Sequence, residues 1–245
     1  MKNINLHGLT KIPLVKKGDN IVTFIVDSAL KDGITIEDGD LIVIAQKIIS
    51  KAEGAIVNLS EVKVSQEAKD LAKKTGRDDR LCQLYLDESS EVIAVKGRMV
   101  ITRHKLGHIG SSSGIDRSNV APHEEGQVAL LPRDPDASAF KIRADIKSAT
   151  GKTVGVIIND SWGRDYRDGS VGTAIGLAGI RAMRIDKKVD LFGNPSASRI
   201  AIVDEVAAAA SLLMGQADEG VPIVIVKGVT YTKSEDATIQ EFIHK

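Results

Sequence analysis

The chain has 245 residues, and 33 Lys and Arg stand against 33 Asp and Glu for a formal net charge of zero. That length accommodates one large domain or two intimate lobes around a substantial core. The balanced charge gives no broad electrostatic case for nucleic acid or an anionic membrane as partner. No run comes near the ~18 apolar residues of a membrane span, and Met1 to Thr10 alternates polar with apolar residues instead of placing a charged segment before an apolar one. The sequence therefore predicts a soluble, cytoplasmic protein without a signal peptide. Cys82 is the only cysteine, which excludes an internal disulfide and a thiolate zinc cluster built within one chain. Its neighbours read as one helix face, so it is assigned to packing. His7, His104, His108, His123 and His244 show no HExxH pattern, and Gly107 between His104 and His108 argues against a helical zinc pair.

Asn3 to Leu9 alternates as a first strand, followed by an extended connection from Thr10 to Val15 around Pro13. Ile21, Val22, Ile25, Val26, Ala29 and Leu30 form a helical stripe, capped by Asp19 or Asn20 and closed by Gly33. Asp38-Gly39-Asp40 turns into a buried strand, Leu41 to Ala45. The segment from Gln46 to Gly54 then places Lys47, Ser50 and Lys51 near the strand's end, where lysines answer phosphate charge or are merely solvated. Ser65 caps a helix through Lys74 ended by Gly76, and a second helix runs from Asp79 to Asp87. Glu91 to Val95 and Arg98 to Arg103 alternate around Lys96-Gly97 as a hairpin.

That hairpin feeds the segment Gly107 to Asn119, with three glycines, four serines, Asp116, Arg117 and Asn119 in thirteen positions and no helical or strand period. Such a segment is expected to stay out of the core. Glycine permits close approach, and clustered N–H and hydroxyl donors suit an anion. A carboxylate among those donors is most simply explained by a divalent cation between the two, although a solvated polar loop has the same composition.

Gln127 to Leu131 reads as a strand, Pro132 to Pro135 as a connection, and Asp136 to Thr150 as a helix with Phe140, Ile142 and Ile146 on its apolar side. Gly151-Lys152-Thr153 is not a phosphate loop, because Ile146 stands where an earlier glycine is required and a strand, not a helix, follows. That strand, Val154 to Ile158, is expected to end in a loop from Asn159 to Gly169. Asp160 and Ser161 lie immediately beyond it, suited to a hard cation or to a plain turn cap. Ser170 to Gly179 suggests tight packing, and Asp186 to Ser198 a long connection. A helix spans Ile202 to Met214, with Val203, Val206, Ala207, Ala210, Leu212 and Leu213 assigned to its buried side. A polar loop from Gly215 to Gly220, a strand from Pro222 to Val226 and a short terminal helix capped by Ser234 complete the chain. These elements predict an α+β protein with mixed sheets and flanking helices.

Three loops thus offer oxygen donors: Asp116 with Asn119, Asp160 with Ser161, and Gln216 with its flanking backbone. All-oxygen ligands favour magnesium or manganese over zinc, and Lys47, Lys51, Arg117 and Arg164 are available for phosphate oxygens. Nucleotide-dependent group transfer is the class this pattern favours; another nucleotide- and metal-dependent ligase or phosphotransferase, or a non-catalytic nucleotide-binding regulatory module, also fits the residues.

Pro13-Leu14, Ser50-Lys51-Ala52-Glu53-Gly54, Gly114-Ile115-Asp116-Arg117-Ser118-Asn119, Asn159-Asp160-Ser161-Trp162-Gly163-Arg164 and Met214-Gly215-Gln216-Ala217-Asp218-Glu219, taken as an ordered set, resemble the coenzyme F-420 gamma-glutamyl ligase family. The resemblance spans nearly the whole chain. It implies addition of L-glutamate to the lactyl phosphate side chain of a deazaflavin coenzyme precursor, with GTP as co-substrate, Mg2+ or Mn2+, and K+ as a further ion. Successive gamma-linked additions are part of the expectation. By resemblance, Ile12, Pro13, Leu14, Val15, Gln46, Lys47, Lys51, Asn119, Met214, Gly215, Gln216, Ala217, Asp218, Glu219, Gly220 and Val221 are GTP contacts. Asp116, Asp160, Ser161 and Gln216 are implied metal ligands, the two aspartates being the catalytic pair. Ser161 stands where threonine is common, which keeps the oxygen, and Gln46-Lys47 stands where small hydroxyl residues occur. The implied chemistry passes through an acyl phosphate. The implied fold is an intertwined homodimer of one catalytic unit, residues 1–245, with no C-terminal reductase-like domain and hence no flavin. Arg164 and Arg167 are further candidates for the coenzyme's phosphodiester.

Overall fold

The computed structural model describes residues 3–121, 126–164, 167–241 and 243. His123, Asp165, Tyr166 and His244 lie outside the described residues. A mixed five-stranded sheet runs through the centre in the order β1 (Asn5–Gly8), β12 (Ile223–Lys227), β2 (Leu41–Ala45), β8 (Gly155–Arg164) and β9 (Arg167–Ala178). Only the β2–β8 pair is parallel. Alternation along the strands divides their side chains between two apolar layers. Ile42, Ile44, Val156, Ile158, Ile223 and Ile225 meet α1 (Ile21–Lys31) and α5 (Pro135–Thr150) on one face. Val43, Ile157, Val224 and Val226 meet α6 (Ile202–Met214) on the other.

A third apolar cluster, including Leu71, Leu81, Tyr85 and Val100, joins α3 (Gln66–Thr75) and α4 (Asp79–Glu88) to a three-stranded sheet of β4 (Ser89–Lys96), β5 (Met99–His104) and β6 (Ile109–Ser111). Cys82 is buried there, and burial pushes its thiol pKa up, as expected of a packing cysteine. The short strands β3 (Ile56–Asn58) and β7 (Gln127–Ala129) pair antiparallel. A separate hairpin is formed by β10 (Arg184–Val189) and β11 (Pro195–Ile200).

Helix limits follow local chemistry. The Asn20 side chain accepts from Val22 N and Thr23 N, Ser65 accepts from Ala68 N, and Asp134 accepts from Ala137 N with Pro135 in the first turn. Gly76 and Gly151 close their helices with φ of 63° and 73°.

Several sequence expectations are corrected. Gln46 to Glu53, for which the sequence pattern predicts no element, is a helix, α2, that begins directly at the end of β2. Asn159 to Arg164 continues β8 as strand, because β9 pairs with it throughout and a register shift between Ile158 and Asn159 absorbs the mismatch. The glycine-rich Ser170 to Gly179 stretch is tightly packed as expected and forms most of β9, whereas the Asp186 to Ser198 connection is the β10–β11 hairpin. Part of Gly107 to Asn119 is strand β6, and Ser113 within it is buried and hydrogen-bonded. Leu213 is exposed and Leu212 is 84% exposed, since α6 turns that side away from the sheet. Among the described residues Ser234 caps no helix; its hydroxyl donates to Asp236, and a single 3-10 turn, Ile239–Glu241, follows. Among the described residues no helix is long and apolar enough to cross a membrane.

Candidate active site

The parallel register sets Ala45 beside Asn159, so the start of α2 and the continuation of β8 emerge side by side. The end of β2 and the middle of β8, at Asn159 to Ser161, open into a cavity of about 730 Å³. Its wall is completed by residues 12–16, by the segment around Asp116 to Ala121, and by the loop that follows α6. The first turn of α2 aims unpaired backbone N–H groups and the positive end of the helix dipole toward this space, an arrangement suited to anions.

Charged and polar groups are already connected across the cavity. Lys47 Nζ lies 2.7 Å from Asp116 Oδ2 and donates to Ser118 Oγ at 3.0 Å. Asp116 Oδ1 accepts from the Ser118 amide and hydroxyl, at 3.0 and 2.9 Å. Two backbone bonds to Ala129, 2.9 and 2.8 Å, hold the Asp116 main chain. Opposite, Ser161 Oγ donates to Gln216 Oε1 at 2.8 Å and so joins β8 to the loop after α6. Asn119, in the left-handed region at φ 53°, donates through Nδ2 to Ala217 O at 2.5 Å, tying the Asp116 segment to the same loop.

Asp160 accepts from the Ser161 amide at 2.8 Å. Burial raises its pKa, the Asp116 carboxylate raises it further, and the Ser161 amide, Lys47 and Gln46 oppose them; the balance is about 7. Burial pushes Lys51 down, with the like charge of Lys47 acting in the same direction. Two carboxylates are therefore held near two cations, with one carboxylate poorly stabilised as an anion.

Asp116, Asp160, Ser161 and Gln216 all line the one cavity, as do Ile12 to Val15, Gln46, Lys47, Lys51, Asn119, Met214 to Asp218, Gly220 and Val221. Glu219 does not. Its carboxylate turns back into its own loop, accepts from Ala217 N at 2.8 Å, and occupies the space where a side chain at Gly215 would stand. Backbone N–H groups of that loop hold its pKa down. Arg117, Arg164 and Arg167 are exposed and outside the cavity wall.

Lys16, Val120, Ala121 and Ser211 line the cavity with no sequence signal, and Ser118 and Asn159 line it as motif members to which the sequence assigns no role. Asn159 was legible as the residue before Asp160. It is buried, donates to Ser211 Oγ at 3.0 Å and Met214 Sδ at 3.3 Å, and leaves Oδ1 without a partner. Ser211 carries no sequence signal, because only helical phase places it opposite Asn159. His104 and His108 form no shared site: His104 Nε2 lies 3.7 Å from Glu88, and the His108 ring packs against Trp162.

Residues 10–228 match the family described as F420-0:Gamma-glutamyl ligase. The Coenzyme F420:L-glutamate ligase of Methanothermobacter thermautotrophicus is 46% identical over 227 residues, covering 92% of this chain and 89% of that protein. Its namesake in Methanocaldococcus jannaschii is 44% identical over 229 residues, with 93% and 88% covered. A third, from Archaeoglobus fulgidus, is 42% identical over 229 residues, with 92% and 88% covered. On a match of this extent, which includes every segment that forms the cavity, the chain belongs to the F420-0:Gamma-glutamyl ligase family.

Proposed function

We propose that the protein is a GTP-dependent ligase that joins L-glutamate to a deazaflavin coenzyme precursor, with further gamma-linked glutamates added in turn. The observation that carries the reading is the convergence of Asp116, Asp160, Ser161 and Gln216 with Lys47 and Lys51 on one cavity. The names of its relatives supply the substrate pair, glutamate and the coenzyme.

The donor set fits Mg2+ or Mn2+. All four candidate ligands offer oxygen, and the mutual repulsion that helps raise Asp160 would be relieved by a cation between it and Asp116. Asp116, Asp160, Ser161 and Gln216 would hold that ion, which when bound neutralises charge on the transferring phosphoryl group. Potassium has no residues assigned to it.

A carboxylate and an amine do not condense readily in water. In the proposed sequence an oxygen of the precursor's carboxylate bonds to the GTP γ-phosphorus and GDP leaves, giving an acyl phosphate. The glutamate amine then attacks the acyl carbon, inorganic phosphate leaves, and the amine's proton passes to solvent. Lys47 and Lys51 face the phosphates and stabilise their charge. The Asn119 bond to Ala217 keeps the loop after α6 closed against the nucleotide. Gln46, whose side chain accepts from Ser50 inside α2, holds the first turn of that helix.

The test is mass spectrometry of a reaction containing the glutamate-free coenzyme, L-glutamate, GTP and Mn2+, with a control lacking GTP. The expected result is a GTP-dependent mass gain of one or more glutamyl units, which also reports chain length. Asp160→Ala should lower the rate by about 100-fold or more with an unchanged circular dichroism spectrum. GTP hydrolysis without mass gain would redirect the search to another acceptor, and full activity in Asp160→Ala would remove that residue from the site.

A further inference from the structure

Two of the candidate ligand segments hang from different sheets. Asp160 and Ser161 belong to β8 of the five-stranded sheet, whereas Asp116 follows β6 of the three-stranded sheet. Their spacing therefore depends on what holds β6 against β8, and the one tryptophan of the chain stands at that junction.

Trp162 follows Ser161 in β8, and its indole Nε1 donates to Ile109 O in β6 at 2.6 Å. The ring lies on the Gly110 backbone so closely that a Cβ at Gly110 would come within 2.3 to 2.4 Å of three ring atoms. Gly110 has no positive φ, so glycine is needed there for room and not for conformation. His108 packs its ring 5.7 Å from the Trp162 ring and is itself buried against β9, where Ile175 accepts its hydrogen bond. The hydrogen bond and the backbone contact join β8 to β6, and the ring contact joins β8 to the residue just before β6.

The chain between Gly110 and Asp116 is anchored by hydrogen bonds at Ser113 and at Asp116. Ser112 and Ser113 sit in the left-handed region at φ 58° and 50°, which for serine needs outside support. That support is present: Ser113 N donates to Thr102 Oγ1 at 3.2 Å, and Ser113 Oγ donates to Tyr85 O at 2.8 Å. Asp116 is then held by its paired backbone bonds to Ala129.

We infer that Trp162 is a positioning residue: by clamping Ile109 and Gly110 of β6 onto β8 it sets the separation of Asp116 from Asp160 and Ser161. It touches no reacting atom. The inference rests on the metal reading proposed above, and adds to it a residue outside the cavity wall.

The test measures Mn2+ binding in the presence of GTP and without acceptor, from the electron paramagnetic resonance signal of free Mn2+. Trp162→Ala and Gly110→Ala should each weaken Mn2+ binding by about 10- to 100-fold, the range for outer-shell partners of a metal site. Trp162→Phe, which keeps a ring and removes the N–H, should fall between them and the native protein. Gly110→Ala should add nothing in the Trp162→Ala background, because the ring it would strike is gone. A folded Trp162→Ala with native Mn2+ affinity would overturn the inference. So would a Gly110→Ala effect equally large with and without the tryptophan. Where Trp162→Ala does not fold, native affinity in both Gly110→Ala and Trp162→Phe overturns it. Mn2+ binding by the native protein separates the two levels: its absence defeats the metal reading and this inference together, while native binding unaltered in the variants defeats the inference alone.

Discussion

His108 has a pH signature that follows from its burial. It is 8% exposed, and desolvation lowers its pKa from 6.5 to about 4, with the bond to the Ile175 carbonyl opposing and His104 adding to the fall. Between those values the unfolded chain binds the proton and the folded chain does not, so folding stability must decline as pH falls from about 6.5 toward 4. The contribution is roughly 3 kcal/mol at most. His108→Gln should therefore lose less stability on acidification than the native protein; identical dependence of melting temperature on pH in both would refute the assignment. At this scale the sequence was informative where chemistry is local. Asp116, Asp160, Ser161 and Gln216 stand out in the sequence as oxygen donors in polar or strand-end segments, and the fold brings all four to one cavity wall. Ser211 and Ser118 do not stand out, since a serine on a helix or in a turn has the same composition whether or not another element is folded against it.

The β8–β9 pair is the element that sequence patterning described least well. Glycine is a poor strand former, so the five glycines from Gly163 to Gly179 read as loop and packing segment. Gly172 and Gly176 are there because helices approach the strand backbone. A Cβ at Gly172 would lie 2.1 Å from Ser211 Oγ and 2.5 Å from Ala207 O of α6, and one at Gly176 would lie 2.5 Å from the Pro135 carbonyl carbon of α5. Helix backbone cannot yield as a flexible side chain does. Gly172→Ala should consequently destabilise the protein by about 1–3 kcal/mol, seen as a lower denaturant midpoint at constant slope; an unchanged midpoint would mean that α6 does not sit as described. The same approach brings the end of α6 to Asn159 and the following loop to Ser161, so the glycines also serve the site. By contrast α1, α3, α4, α5 and α6 were located from sequence within a residue or so, because each combines an apolar stripe with local start or stop signals.

For the whole molecule, the β10–β11 hairpin carries the clearest sign of an unfilled contact. Ile185, Val189 and Leu191 are exposed along it and Phe192 is 90% exposed at its turn, an apolar surface that suits the homodimer implied by the family resemblance. Replacing Leu191 and Phe192 together by aspartate should convert a dimer to a monomer in light scattering coupled to size exclusion. A native protein that is monomeric at micromolar concentration, or a doubly substituted one that remains dimeric, would reject that role for the hairpin. The sequence by itself determined the α+β class, most helices, the strands that read as apolar runs and the chemical identity of the ligand candidates, since hydrophobic period, caps and side-chain type are carried within short windows. Tertiary structure alone decided that Asp160 and Ser161 lie within a strand and that Glu219 turns away from the cavity. It also placed Trp162 between two sheets and brought Asn119 to Ala217. The Asn119 contact spans 98 positions and the Trp162 contact 53, so no local window contains both partners, while Glu219 bonds within its own loop and its direction is decided by how that loop folds.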